Sequence, residues 1–452
     1  MDPRAQILDH VALTPAPSIP ESARQSLRIF LLDTVGVGLA GSSAAGADEL
    51  VAASANWGSG ALPVLGRDIR VSREVACLLN AFFIHNLEWD CVHEPAVVHA
   101  MSVITACCLT EAASNPQISG SDLAAAIILG VDIAASLGVA TEAPLRFFRP
   151  GTNGCLGAAL ALARLRGLPR THYDDVFGLT YSQLSGTMQA HVEGSITLPL
   201  QIAMAARSAM TAVDMAEAGL TAPHDVLDGE FGFFKLIEDG GSAAAAARRL
   251  GDIWAVTELS HKPYPSGRAS HAVLEYVLRK KADLGFGFDD VAQIKAQVPP
   301  LIHRLVARPY QAGMTPAYAR LCLPNLCGLA MRDAAITPAA GAQENLAAPE
   351  LAAFAQRVEI TIDANTDLNA MRPQAAQIIL KDGRDISEPI PAIYGAPGYP
   401  MTEQDYLAKF DLAARFAHQA LSPAQVLALR TFLQEIDQQP SVAAMYDMLK
   451  ND

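Results

Sequence analysis

The chain has 452 residues, 51 % of them hydrophobic and only 18 % charged, with a formal net charge of −14. That length exceeds one simple core and fits two domains. The apolar content excludes a disordered chain, and no Lys/Arg run is longer than Arg279-Lys280-Lys281, which excludes an ordinary nucleic-acid-binding face.

In chain order, MDPRAQILDH lacks the apolar centre of a secretory signal. Runs such as AVVHAMSVITACCL fall short of the roughly 20 residues of a membrane span. A cytoplasmic protein with no membrane partner is expected, its seven cysteines reduced because no C-x-x-C pair or regular spacing is present. Helix signals then dominate to about Lys262: 20–40, 72–89, 95–113, 121–137, 153–165, 203–218 and 243–250. Several open on Ser or Asn and close near Gly, and no period-2 run is visible in this half. After KPYPSGRAS the character changes. A helix is predicted over 268–282 and an alternating strand over 291–298, and VEITID from Val358 and AAQIILKDG from Ala375 read as two more strands. The Pro- and Gly-rich segment 387–399 reads as a return linker, and 403–450 is helical again. The expected fold is mainly α with an α/β lid. A helical domain covers 1–265 and 396–452, the lid is inserted at 266–395, and the ligand lies between them.

Three polar clusters interrupt the apolar background. EWDCVHEPAVVHA holds Glu88, Asp90, Cys91, His93, Glu94 and His99, with Pro95 a natural first helical residue. RFFRPGTNGCLG offers Arg149 and Asn153, the latter as a helix cap. HKPYPSGRASH offers Lys262, Arg268 and His271, with Ser266 as a cap. Each sets a helix N-terminus beside a cation or histidine, which suits a carboxylate or phosphate. Converging, the three would make a pocket for a small polyanion. No metal is expected: His93 and His99 are six residues apart and so on different helical faces, and there is no H-E-x-x-H. G-x-S-x-G, Walker and Rossmann patterns are also missing, so no cofactor is expected.

These stretches resemble the 2-methylcitrate dehydratase (MmgE/PrpD) family, which includes cis-aconitate decarboxylases and iminodisuccinate epimerase. LLDTVGVGLAG is similar to its first helix. LNAFFIHNLEWDCVHEPAVVHA is similar to A-H-A-L-D-F-D-D-T-H…H-P. RPGTNGCLGAALALARLRGL and HKPYPSGRASHAVLE resemble two further motifs, the last the most specific. The resemblance implies a metal-free homodimer acting on small di- or tricarboxylates. It also shows departures. Glu88, Cys91 and Val92 stand where the family often has Asp, Asp and Thr. Arg149 stands for His, Leu198 for Lys, Gln201 for His, Asn325 for Tyr, and Gly267 for Cys or His.

A dehydratase must take a carbon-bound proton and also protonate a leaving hydroxide. An epimerase only takes a proton alpha to a carboxylate and returns one on the opposite face. A chain without several of the family's polar groups therefore reads as a cofactor-independent epimerase of an amino- or iminodicarboxylate. A methylcitrate-type hydro-lyase and an inactive carboxylate-binding member are the alternatives. His99 and Lys262 are the candidate acid/base groups, with Asp90 or Glu88 tuning His99. His271 is either catalytic or a support of the lid helix. Arg149, Arg268, His93 and Asn153 are the candidate substrate-binding residues.

Overall fold

The computed structural model describes residues 2–450 except 368. The chain is mainly helical and forms two domains, each around its own buried cluster. The larger core is built by helices Glu21–Gly41, Arg73–His85, Ala100–Ser114, Gly120–Val139, Arg149–Leu165 and Thr197–Glu217. Their composition explains the packing. Ala100–Ser114 is buried at nearly every position, as its all-round apolar sequence requires. Helices Gly120–Val139 and Arg149–Leu165 meet through glycines. A Cβ on Gly157 would lie 2.4 Å from the Gly130 carbonyl, so any side chain there would push the two backbones apart. Phe410, Ala413 and Ala414 of helix Glu403–Arg415 join the same core.

The second core lies under a four-stranded sheet in the order Val358–Ile362, Val291–Val298, Gln374–Leu380, Asp385–Ile390. The first pair is parallel, with Ile294 opposite Val358, and the other two are antiparallel, with Ile294 opposite Ile378 and Ala376 opposite Glu388. Alternate residues of Gln374–Leu380 are buried, the period-2 pattern of a strand with one covered face. Helices His271–Leu284 and Leu323–Asp333 supply that cover.

Several predicted boundaries shift. Pro95 does not begin a helix: the third long helix starts at Ala100, with His99 as its N-cap residue. The helix expected at Asn153 begins at Arg149, where Pro150 fits the donor-free first turn. The first residues of the expected linker, 387–390, instead belong to the edge strand Asp385–Ile390, where Pro389 is tolerated. A hairpin of Leu62–Val64 and Arg67–Val71 went unpredicted because it is short and its second strand is only half-buried. Contrary to expectation, Gly120–Val139 is by length and composition able to cross a membrane. Most of it is buried within the protein, as a core helix.

Candidate active site

A cavity partly open to solvent lies between the two domains. The helical domain lines it with Glu88, Glu94, Val97 and His99 of one loop and with Phe148, Arg149 and Pro150 at a helix start. The short helix Gln189–Glu193 adds His191. The lid adds Gly267, Arg268, Ala269, Val306 and Leu321. Parts of all three polar clusters therefore meet in one place.

The loop 86–99 is held under strain. Glu88 has φ 52° and Val97 φ 54°, and Val97 is β-branched, so this left-handed conformation is costly and must be imposed by its surroundings. The anchors come from distant segments. Lys262 Nζ donates to the Glu88 carbonyl at 3.0 Å and to Glu88 Oε2 at 2.9 Å. Lys409 Nζ donates to the Trp89 carbonyl at 2.9 Å, pairs with buried Asp33, and lies 5.2 Å from the Trp89 ring centre. From the lid, Arg320 Nη1 donates to the Asn86 carbonyl at 3.1 Å.

Asp90 organises the chemistry. Its Oδ2 accepts from His85 Nδ1 at 2.9 Å and from the Ser102 hydroxyl, and His99 Nδ1 lies 3.2 Å from the same oxygen. That last contact is within ion-pair reach but lacks hydrogen-bond alignment, a looseness usual before substrate binds. Burial alone would lower the His85 pKa, but the Asp90 and Glu88 carboxylates outweigh it and raise it to about 9. Burial and the neighbouring Lys262 ammonium lower that of His99 against the pull of Asp90. One imidazole is therefore charged at neutral pH and the other is a neutral base. With Nδ1 turned to Asp90, the ring leaves Nε2 for the cavity. Burial opposes ionisation of Asp90 and Glu88, but the cations around them hold both well below the usual carboxylate range.

His85, Asp90 and His99 also offer ligand atoms within 4.8 Å of one another. Asp90 Oδ2 is engaged by His85 and Ser102, while Asp90 Oδ1 is buried without a hydrogen-bond partner.

The other predicted residues fall into two groups. Arg149 and Arg268 line the cavity, while Lys262 reaches it only through Glu88. His93, Asn153 and His271 do not line it. His93 Nε2 contacts Glu258 at 2.8 Å, and its Nδ1 accepts from the Ala96 N–H. Asn153 does not cap its helix but donates to the Ala134 carbonyl. His271 Nε2 lies 3.2 Å from the Ser266 hydroxyl, so Ser266 supports this ring instead of capping a helix. Burial and the Arg268 charge keep His271 neutral. Cys91 is a core residue whose thiol burial holds protonated.

Sequence reasoning missed His85, Ser102, Glu238 and His191. Two of them hide in apolar helices, and Glu238 meets Arg149 across 89 positions. Burial and nearby Arg308 lower the His191 pKa to about 4.

The sequence matches two family models, the MmgE/PrpD N-terminal domain over residues 5–246 and the MmgE/PrpD C-terminal domain over 264–430. A cis-aconitate decarboxylase of Mus musculus is 26 % identical over 408 residues, 86 % of this chain and 81 % of that protein. A cis-aconitate decarboxylase of Homo sapiens is 25 % identical, covering 76 % and 73 % of the two chains. A cis-aconitate decarboxylase-like protein of Aspergillus oryzae is 25 % identical, covering 60 % of each.

Proposed function

Because the chain belongs to the MmgE/PrpD family, we propose that it is an enzyme moving a proton at a carbon near the carboxylate of a small organic acid, with His99 as the acid/base. The observation that carries this reading is the neutral imidazole of His99, set beside Asp90 and lining the cavity. His99 Nε2 takes the C–H proton. The electron pair passes to the enolate of the adjacent carboxylate, stabilised by the Arg149 side of the cavity. The Asp90–His85 pair compensates the imidazolium formed on His99.

The relatives favour a lyase outcome. On a β-substituted acid the C–H electrons form a C=C bond as the β-group leaves with its bonding pair. On an unsaturated acid carbon dioxide leaves, and the carbon that keeps the pair receives a proton that solvent water supplies through His99. Epimerisation is the second reading. It is supported by His191, another neutral imidazole on the same cavity, able to serve the opposite face. This replaces the expectation of Lys262 as second base, since that ammonium is fully buried against Glu88.

The test is NMR in heavy water, with alkene absorbance and carbon dioxide release followed together. His99→Asn should lose deuterium exchange by a factor of about 100 or more. Unchanged turnover in that variant would remove His99 from the chemistry. Exchange at a stereocentre with neither alkene nor carbon dioxide would select epimerisation over the lyase.

A further inference from the structure

Three lid arginines reach across to the helical domain around the cavity, each to a backbone carbonyl. Arg304 Nη2 donates to Leu145 at 2.7 Å, Arg320 Nη1 to Asn86 at 3.1 Å, and Arg308 Nη2 to His191 at 2.7 Å. Arg308 does more than hold the backbone. The same Nη2 lies 3.3 Å from His191 Nδ1, with an N–H aligned on it. A guanidinium only donates, so Nδ1 is the acceptor. A neutral imidazole carries a single ring N–H, and with Nδ1 accepting, that hydrogen is on Nε2. Nε2 has no partner among the described residues and, unlike the unpaired ring nitrogens of His85, His261 and His271, is not buried. The ring lines the cavity, so its N–H is open to a ligand there.

The lid fixes this arrangement at further points. Thr315 Oγ1 donates to the Gly194 carbonyl at 2.8 Å, and a Cβ on Gly194 would lie 2.6 Å from Tyr318 Cβ. The end of helix Gln189–Glu193 is therefore docked closely on the lid. Arg308 itself lies over the Tyr318 ring, 4.7 Å from its centre. Burial, Arg308 and Arg304 oppose a second proton on His191 against the pull of Glu88, so the ring stays neutral beside these cations.

We propose that Arg308 locks His191 as the Nε2–H tautomer, and that this N–H donates to the substrate oxygen on which charge develops as His99 removes its proton. Arg308 is then a positioning residue, acting through the ring. This rests on the reading of the cavity as the place where His99 transfers a proton. It also separates the two outcomes of that transfer. Giving its Nε2 hydrogen to carbon would leave His191 an imidazolate, so the locked ring serves the lyase and not the epimerase.

The tautomer is read by NMR of the histidine ring nitrogens in the full-length protein at neutral pH, with His191→Leu to assign the signals. His191 Nδ1 should appear unprotonated and Nε2 as an N–H, and saturating 2-methylmalate or 2-methylcitrate should move the Nε2–H signal. In deuterium exchange on the same acids, His191→Leu should lower kcat about 100-fold. His191→Gln, whose amide N–H reaches the same point, should recover most of that loss. Arg308→Met lets the hydrogen move to Nδ1 and should lower kcat about tenfold with KM within about twofold; Arg308→Lys should recover it. A proton on Nδ1 in the wild type overturns the inference, as does an Nε2–H signal that neither acid moves or an unchanged kcat in His191→Leu. The two readings fail separately. Exchange lost in His99→Asn but kept in His191→Leu would keep proton transfer by His99 and remove the donor. A wild-type Nε2–H signal, with exchange kept in His99→Asn but lost in His191→Leu, would remove His99 from the chemistry and leave the donor standing.

Discussion

Raising the pH should weaken this protein through a single imidazole. Folding lifts the His85 pKa from 6.5 to about 9, burial being outweighed by Asp90 and Glu88. Such a rise corresponds to roughly 3 kcal/mol of stability. Because the folded value is the higher one, the stabilisation is complete below about pH 6.5 and is lost as pH climbs through about 9. Urea unfolding of the wild type and of His85→Gln across that window measures it. The wild-type free energy of unfolding should fall by roughly 3 kcal/mol more than that of the variant. The difference between the curves is the readout, because buried thiols such as Cys91, whose pKa burial raises, titrate in both proteins. Parallel curves would refute the assignment of a charged His85 beside Asp90.

Four other outcomes are expected. Since His99 is held below the ordinary histidine value of 6.5 by burial and Lys262, the acid limb of the exchange rate should lie below that value; an acid limb at or above pH 6.5 in the rate profile would contradict a depressed base. Lys409→Met strands Asp33 in the core and should cost about 3–5 kcal/mol in urea unfolding; a loss under about 1 kcal/mol would mean the pair holds little. Gly267→Ala drives Leu321 aside and should raise the Kd of bulky acids while leaving Tm within a few degrees; unchanged affinity would take Leu321 off the ligand wall. Dialysis against a chelator should leave exchange intact, because the proposed transfer uses His99 as its only acid/base group; activity lost and then restored by a divalent ion would make the His85, Asp90 and His99 cluster a metal centre.

Much of the helical scaffold was legible because its signals are local. Ser72 caps the helix it was expected to open, and the alternation of 291–298 marks a strand with those same ends. The site was legible only as fragments. His99, Arg149 and Arg268 were visible as polar residues near helix starts, and the structure places them on one cavity. Their partners were not visible. Nothing near Arg149 announces Glu238, and His85 looks like the end of an apolar run until Asp90 is brought to it. That is why the three clusters read as a pocket for a small polyanion. Counting cations along a sequence says nothing of the carboxylates that fold against them. The start of the Ala100–Ser114 helix was misplaced for a related reason. Pro95 suits a first turn, but the His93–Val98 bridge bends the chain back before the helix can begin.

The grip of Lys409 on Trp89 sets a condition on biosynthesis. The two residues are 320 positions apart, so a ribosome has made nearly the whole chain before the loop carrying Asp90 and His99 receives this clamp. Until then a strained backbone at Glu88 and Val97 has nothing from that side to hold it. The emerging polypeptide would thus carry His85, Asp90 and His99 long before this clamp forms, which comes only with the docking of the Glu403–Arg415 helix.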